Sequence, residues 1–511
     1  MKKFISVIIV VSMVLVVSLL HLGSVLLFDV DEAVFAEATK EMVESGDYIT
    51  ATYNGEVRYD KPIFFYWLMA ASYKIFGINE FGARFPSALA GCILALALFF
   101  FVRHSWGRQK ASYAVLSMVL SLYYLVYARS AVTDMVLTLF ITLSLFCFYL
   151  SLQKNRLYLY GFYVFSALAF LTKGLIGIVF PCSVALIYLV VTEGPGGIRR
   201  ILDIKGLMLF IIIGTPWYVL EYSARGYEFI EQFFIKHHFR RYTEVISGHK
   251  GPVYYYLAAL AVGMFPWIAF LPAGVGRLWK DRDPLLVFSG IWLAFVMIFF
   301  SFSTTKLPDY ILSAVPAASI IIAAGMTEEG AVWRRSAYGV MGLTWAAIGF
   351  VFFVLPSYLE QKGIAADGVM PLLAVVALTM SAVCFYALYT ARPLYGAMSS
   401  VMFVFLMTAI LTGLPIANNY LQGSLYKYSI YGNKKAKGDE RIIAYGLNKP
   451  SIVFYSGHKV AVAGGIDTLK RIISDGKGRI VIAKTKDAEL LRQSGLVIRD
   501  MDKGYALLET E

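Results

Sequence analysis

Long apolar runs recur along most of the sequence and constrain its fold more than any other feature. Each run of about 18 or more apolar residues is long enough to cross the hydrocarbon core of a bilayer as a helix. Hydrophobic residues make up 59% of the 511 residues and charged residues only 16%, whereas soluble domains carry about 25% charged residues. A membrane β-barrel would instead show short alternating segments. We therefore predict a polytopic α-helical membrane protein that is surrounded by the lipid bilayer.

The apolar runs predict about thirteen membrane spans. Their predicted centres lie near residues 16, 92, 119, 143, 164, 183, 213, 262, 293, 316, 345, 380 and 404. The first run, Phe4–Phe28, resembles a signal peptide because Lys2 and Lys3 precede it. It is long, however, and no small-residue cleavage site follows, so we interpret it as an uncleaved first span.

The distribution of basic residues predicts the orientation of the spans. Alternate loops, including "RHSWGRQK", "QKNR" and "GGIRRILDIKG", all carry Lys or Arg. The opposite loops are longer and poorer in these residues, as on the non-cytoplasmic side of membrane proteins. The N-terminus is therefore predicted to be cytoplasmic and the C-terminal segment to lie outside. The basic residues of these loops also account for the net charge of +12, so this charge does not indicate nucleic-acid binding. The four cysteines lie in apolar runs and predict neither disulfides nor a zinc site.

Two amphipathic surface helices are predicted in the first outer loop, residues 29–80. "EAVFAEATKEMVESGD" has apolar residues at helical spacing, acidic residues on its other face and a Ser-Gly-Asp stop. Pro62–Phe76 is apolar but too short to span, and Lys74 interrupts it. A turn is expected around Asn54-Gly55, between the two helices.

The composition changes near Tyr420, where the apolar runs end. "SIVFYSG", "KVAVAGG", "RIVIAKT" and "LVIRDMDKGYALLE" have strand character, and "GIDTLKRIISDG" and "TKDAELLRQSG" are typical of helices. We therefore predict a membrane domain over residues 1–418 and a small extracytoplasmic α/β domain over residues 419–511.

Ionisable side chains from five outer loops are expected at one membrane surface, where such groups are usually functional. The cations suit an anionic phosphate head group at the lipid interface, and Asp31, with Glu32 beside it, suits general-base chemistry or contacts with a sugar and an acceptor. Simpler interpretations stay open, because acidic residues after a span are usually solvated and lysines at helix ends usually snorkel. The residues concerned are Asp29, Asp31, Glu32, Asp60, Lys61, Asp134, Lys173, His237, His238, Arg240, Arg241, His249 and Lys306.

The stretch from "DEAVFAEATKEMV" through "DKPIFFYWLMAASYKIF" to "GARFPSA" resembles a known family. Together with "TKG", "FFIKHHFRRY", "GHKGPVYYY", "FPW" and "KLPDYILSAVPA", it is similar to the lipid A aminoarabinose transferases and their protein O-mannosyltransferase relatives. The resemblance covers roughly residues 28–325. It implies the GT-C fold and sugar transfer from a polyprenyl phosphate such as undecaprenyl phosphate, with inversion. It also implies an inner-membrane enzyme whose active site faces the periplasm.

Residue roles follow from the resemblance position by position. Asp31 falls on the catalytic aspartate, Glu32 on its acidic neighbour and Asp134 on a second outer carboxylate. Asp29 is interpreted as an interfacial charge only. Lys61 falls on a lysine that contacts the lipid phosphate, Lys306 in the family's "KLP" turn and Arg241 on a basic residue of the histidine loop. With Lys173 and Arg240, which their charge and location suggest, these residues are predicted to bind the donor phosphate. Asp60 and His238 fall where some relatives bind a metal such as zinc, but Asp60 stands where a Glu is expected, so no cofactor is taken to be required.

The acceptor and the transferred sugar stay open at this stage. A glycolipid such as lipid A is favoured as the acceptor, protein is the alternative, and the enzyme is expected to be a monomer. A transporter or flippase for a lipid-linked substrate would also explain the membrane helices and the cations. Transporters usually show paired internal repeats, and none is evident here.

Overall fold

The computed structural model describes residues 2–240, 251–327, 331–360, 368–436, 441–475 and 478–510. Its α-helices are α1 (Lys2–Leu19), α2 (Asp31–Ser45), α3 (Phe64–Phe76), α4 (Glu80–Val119), α5 (Leu122–Tyr127), α6 (Asp134–Gln153), α7 (Tyr158–Lys173), α8 (Ile176–Glu193), α9 (Ile204–Gly214), α10 (Pro216–Arg225), α11 (Tyr227–Phe229), α12 (Tyr255–Gly263), α13 (Leu271–Asp281), α14 (Pro284–Ser301), α15 (Val315–Met326), α16 (Ala331–Glu360), α17 (Val369–Thr390), α18 (Tyr395–Thr408), α19 (Leu414–Lys435), α20 (Pro450–Ser456), α21 (Ile466–Ser474) and α22 (Ala488–Gln493). Shorter 3₁₀ or π segments are Pro195–Arg200, Ile230–Arg240, Trp267–Phe270, Pro308–Ala314, Ala409–Gly413 and Thr485–Asp487.

The helices confirm a multi-pass membrane protein. In the described part of the chain, eight helices are long and apolar enough to cross a membrane, or up to ten if each of two bent pairs forms one span. All thirteen predicted centres fall within a helix, although residue 119 is the last residue of α4. Gly107, with φ 80°, interrupts α4, so this helix consists of two segments. The count of thirteen spans stays a prediction.

The chain forms two compact units. The first contains residues 1–20, 59–65 and 86–409, and the second contains residues 21–58, 66–85 and 410–511. Large aromatic side chains fill the first unit, where Trp267, Trp292 and Trp345 are almost fully buried. Close helix packing there depends on small residues: a Cβ on Gly325 would lie 2.2 Å from the carbonyl oxygen of Phe270.

The second unit contains a five-stranded sheet with strand order β4-β3-β5-β7-β6. Its strands are β3 (Arg441–Tyr445), β4 (Val460–Ala463), β5 (Gly478–Lys484), β6 (Leu496–Asp502) and β7 (Tyr505–Thr510). The first three strands in this order are parallel, and β7 runs antiparallel to both of its neighbours. Apolar side chains are buried on both sheet faces. The predicted α/β character of the C-terminal segment is therefore confirmed.

One predicted strand is wrong, because "SIVFYSG" forms the helix α20. Pro450 occupies the first turn, where its missing N–H is not needed. Gly457, with φ 65°, ends the helix in the left-handed conformation. Seven apolar and small residues are too few for periodicity to separate a buried helix from a buried strand. β3 was not predicted, because charged residues precede it.

The first outer loop has the predicted order of elements. A two-stranded hairpin, β1 (Thr52–Tyr53) and β2 (Glu56–Val57), turns at Asn54 and Gly55, whose φ values are 56° and 78°. Such a turn suits the twist of a hairpin. α2 ends at Gly46 (φ 74°) as expected. With 13 residues, α3 is about 20 Å long, too short to span the hydrocarbon core.

Candidate functional site

The predicted site residues fall in two groups, one in each compact unit. Asp60, Lys61, Asp134, Lys173 and Lys306 belong to the first unit. Asp31 and Glu32 begin α2 in the second unit.

In the first unit, the ammonium of Lys173 contacts two carboxylates. Its Nζ lies 2.5 Å from Oδ1 of Asp134 and 3.3 Å from Oδ2 of Asp309. Asp134 opens α6 and Lys173 closes α7, so each charge lies at the helix end that favours its sign. The three side chains are between 9% and 19% exposed and line a small cleft together with Tyr310. When both carboxylates are ionised, the cluster carries one negative charge.

Asp309 was not singled out from the sequence, although it follows Lys306 in "KLPDY". Asp309 and Lys173 lie 136 residues apart in the sequence, so no local pattern predicts that they pair. The only sequence feature that marks Asp309 as a candidate is its place in a polar break between two apolar runs. The phosphate-binding role of Lys173 stays a prediction.

Lys306 is buried, and its three N–H donors all reach main-chain carbonyls. Nζ lies 3.2 Å from the oxygen of Phe300, 2.8 Å from that of Ser301 and 3.0 Å from that of Ser303. An ammonium has only three protons to donate. In this arrangement, Lys306 binds carbonyls at the end of α14 and just after it. The carbonyl of Phe300 also accepts from the N–H of Ser303. A phosphate contact would require these bonds to be exchanged.

We expect Lys306→Met to lower the free energy of unfolding by about 1–3 kcal/mol, because it leaves buried carbonyls without partners. Methionine keeps the length of the apolar stem. Thermal unfolding in detergent measures the change, and Lys280→Met, at an exposed position of α13, is the matched control. A variant with unchanged stability but a raised donor KM would instead support direct phosphate binding.

The remaining predicted cations and metal ligands are only partly described. Lys61 is half-buried and donates a hydrogen bond to the carbonyl oxygen of Asp60, 3.3 Å from its Nζ. The side chains of His238 and Arg240 and the whole of Arg241 lie outside the described residues. Within the described ranges, no group of three or more His, Cys, Asp or Glu side chains is placed to hold a metal.

In the second unit, Asp31 is exposed and Glu32 is buried. Both oxygens of Glu32 accept hydrogen bonds from Arg84, at 2.9 and 2.8 Å. Arg84, which is 2% exposed, also donates to the carbonyls of Leu22, Val25 and Leu26. Glu32 therefore anchors the start of α2 and leaves Asp31 as the carboxylate that faces outward from this turn. The interpretation of Asp29 as an interfacial charge is wrong, because its side chain is only 1% exposed.

Glu37, a second acidic residue of α2, is buried like Glu32. The Glu37 side chain is 6% exposed and lies 3.3 Å from the ammonium of Lys40. Burial raises the pKa of Glu37 to about 7, and the negative charges of Glu41 and Glu44 add to the effect, whereas Lys40 opposes it.

We expect stability to fall as pH rises from about 4.5 to 7, because the folded state holds the Glu37 proton more tightly than the unfolded state. Below pH 4.5 both states are protonated and the effect vanishes; above pH 7 the full cost, about 3 kcal/mol at most, is present. Glu37→Gln should remove this dependence in pH-dependent unfolding curves. Glu44→Gln, exposed on the same helix, should keep it, and an unchanged curve for Glu37→Gln would refute the assignment.

Comparison with known proteins places these features in a family. The domain family described as dolichyl-phosphate-mannose-protein mannosyltransferase matches residues 60–219. An uncharacterized protein of Aquifex aeolicus is 35% identical over 307 residues, which cover 59% of this chain and 69% of that protein. The undecaprenyl phosphate-alpha-4-amino-4-deoxy-L-arabinose arabinosyl transferase of Yersinia enterocolitica is 31% identical over 354 residues, which cover 66% of this chain and 62% of the relative.

A solved structure shares the fold over nearly the whole chain. The crystal structure of ArnT from Cupriavidus metallidurans bound to undecaprenyl phosphate matches with a TM-score of 0.81 at 23% identity, covering 98% of this chain and 97% of that one. In sequence, the chain spans less than two thirds of the length of the arabinosyl transferases it matches. Together with the membrane helices and the small C-terminal sheet, these similarities show that the chain has the GT-C fold and belongs to the ArnT-like family.

Proposed function

We propose that the protein transfers a sugar from a polyprenyl phosphate donor to a glycolipid acceptor such as lipid A. The sequence similarity to arabinosyl transferases named for an undecaprenyl phosphate donor carries this proposal. The shared fold with an ArnT bound to undecaprenyl phosphate supports it. The preferred donor sugar is 4-amino-4-deoxy-L-arabinose. We place the protein in the inner membrane as a monomer, with Asp31 and the C-terminal residues on the periplasmic side.

The reaction forms one bond and breaks another at the anomeric carbon. An acceptor oxygen attacks this carbon from the side opposite the phosphate, and the bond to the phosphate oxygen breaks with its electron pair. The configuration inverts through an oxocarbenium-like transition state. Asp31 accepts the proton of an acceptor hydroxyl as the general base. The exposed position of Asp31 at the rigid first turn of α2 suits this role.

Cations stabilise the leaving polyprenyl phosphate in this proposal. The leaving oxygen gains negative charge as the bond breaks, so positive charge beside it favours the transition state over the ground state. Lys61, Arg240 and Arg241 are proposed for this role. Lys306 is less suited, because its donors already bind carbonyls.

Asp134 and Asp309 are proposed to contact the donor sugar. Buried carboxylates accept hydrogen bonds from sugar hydroxyls, and when both are ionised the net negative charge of their cluster with Lys173 favours an amino sugar over a neutral one. Lys173 holds both carboxylates in place. This arrangement supports an aminoarabinose-type donor.

Transfer to protein is the second candidate function. The match of residues 60–219 to the protein mannosyltransferase domain family favours it. The two candidates share the donor chemistry and differ in the acceptor.

The deciding experiment supplies the purified full-length protein with a panel of polyprenyl-phosphate sugars and with lipid A or peptide acceptors. Release of polyprenyl phosphate and the mass of the modified acceptor are measured. We expect release with the amino sugar and lipid A, and its loss in Asp31→Asn. Release with mannose and peptide would establish the second candidate, and no release from any donor would contradict both.

A further inference from the structure

The loop that leads into α2 is held by side chains from two C-terminal helices of the same compact unit. Asn418 of α19 pairs with the main chain of Leu26 twice: its Oδ1 accepts from the Leu26 N–H and its Nδ2 donates to the Leu26 carbonyl, both at 2.9 Å. The hydroxyl oxygen of Tyr455 on α20 accepts from the N–H of Leu27 at 2.8 Å. Side chains thus satisfy main-chain groups that have no partner within a helix or strand.

Asp29, two residues later, is held at both carboxylate oxygens and at its main-chain N–H. Its Oδ1 accepts from the main-chain N–H of Ser451 at 2.8 Å, and its Oδ2 accepts from the Ser451 hydroxyl at 2.7 Å. With the Gln422 amide oriented to satisfy both of its ends, its nitrogen donates to Oδ2 at 2.9 Å and its oxygen accepts from the Asp29 N–H at 3.2 Å. The ammonium of Lys449 lies 3.9 Å away. A carboxylate bound in this way has no free face for a substrate.

We propose that Asp29 is a positioning residue that fixes Asp31 by tying its loop to α19 and α20. This proposal rests on the proposed function, in which Asp31 is the general base. Two residues of chain reach at most about 7 Å, so an anchored Asp29 sharply limits where Asp31 can lie. Catalytic groups need placement within about 0.5 Å, and a 1 Å displacement can cost about 100-fold in rate. The C-terminal α/β domain thereby has a role in catalysis without contributing a catalytic residue.

Positioning depends on hydrogen bonds, whereas catalysis by a carboxylate depends on its charge. Asp29→Asn keeps the shape and still accepts from the Ser451 N–H, and its amide can donate to the Ser451 hydroxyl oxygen, but it loses the hydrogen bond from the Gln422 amide nitrogen. Asp29→Ala removes every side-chain contact. The two substitutions therefore separate the two roles, and Asp31→Asn gives the reference for loss of a catalytic charge.

The test measures kcat and donor KM for the purified full-length variants with the donor and acceptor found to be active. We expect Asp29→Ala to lower kcat by about 10- to 100-fold with KM within threefold. The kcat of Asp29→Asn should stay within about fivefold of the wild-type value. Ser451→Ala removes only one hydroxyl, so its kcat should lie between those of Asp29→Ala and Asp29→Asn. Asp467→Asn, an exposed carboxylate in the first turn of α21, should have no effect. The proposal is overturned if Asp29→Ala keeps its kcat, or if Asp29→Asn loses as much as Asp29→Ala.

Hydrogen–deuterium exchange of residues 26–34 gives a readout that does not depend on activity. Asp29→Ala should speed exchange of the Leu26 and Leu27 amides at least tenfold, and Asp467→Asn should leave it unchanged. If the wild type transfers no sugar, the proposed function fails by itself. Unchanged exchange in Asp29→Ala would then overturn the anchoring as well, whereas faster exchange would support the anchoring alone. Ser451→Ala and Asp29→Asn keep the test decisive if Asp29→Ala does not fold.

Discussion

Asp31→Asn is expected to lower kcat by about 10²- to 10⁴-fold with a hydroxyl acceptor, the usual contribution of a general base. Asparagine has nearly the same shape but cannot accept the acceptor's proton. Asp31 is exposed at the first turn of α2, so the substitution should cost the fold only the helix-dipole contribution, about 0.3–1 kcal/mol. Steady-state turnover with saturating donor measures the effect, and a loss of stability no larger than the helix-dipole contribution shows that the loss of turnover is chemical.

The size of this loss should depend on the acceptor. A phosphate acceptor has a second pKa of about 6, by analogy with phosphorylated side chains, and is already largely deprotonated at neutral pH. Asp31 then orients the reactants more than it removes a proton, and the loss should be smaller. Equal losses with phosphate and hydroxyl acceptors would count against this explanation. Asp467→Asn should behave as wild type with both.

Arg84→Met is expected to lower the free energy of unfolding by about 3–5 kcal/mol. The substitution leaves Glu32 buried without its cationic partner, and breaking a buried pair from one side usually costs this much. It also removes the donors that reach the carbonyls of Leu22, Val25 and Leu26. The midpoint of thermal unfolding in detergent should therefore fall.

A double-mutant cycle tests whether the pair itself carries this effect. Adding Glu32→Gln to Arg84→Met should cost less than the sum of the two single changes, because no uncompensated charge is then buried. Arg492→Ala is the matched control, since its pairing with Glu489 on α22 is exposed and such pairs contribute about 0–1 kcal/mol. A similar loss for Arg492→Ala, or strict additivity in the cycle, would refute the assignment.

Local patterns in the sequence predicted much of the fold. Asn54-Gly55 has the residue types that a tight hairpin turn requires, and Gly46 ends α2 as expected. Most strands and both amphipathic helices of the C-terminal domain were predicted, because their patterns lie within one element. α20 was missed because Pro450 and Gly457 define it by its ends, while its apolar interior suits a strand equally well.

The sequence predicted which types of residue form the candidate site, but it did not predict their contacts. The sequence showed that Glu32, Lys173 and Lys306 are ionisable groups near the membrane, but not which groups they contact. Glu32 meets Arg84 across 52 residues, and Lys173 meets Asp309 across 136. Lys306 turns its donors onto main-chain carbonyls, which no pattern of side chains reveals. Asp29 looked like a solvated helix end because its partner Ser451 lies 422 residues away.

The long separation between Asp29 and Ser451 also has a consequence for biosynthesis. At about 5–20 residues per second, a ribosome needs roughly 20–80 s to travel from one residue to the other. Throughout that time the loop before α2 has left the ribosome without the side chains that fix it. A chain that terminates early, before α19 and α20, retains the membrane helices but never orders the aspartate proposed for catalysis. The proposed activity is therefore expected only after α20 has been synthesised, so chains that stop earlier should not consume the proposed lipid-linked donor.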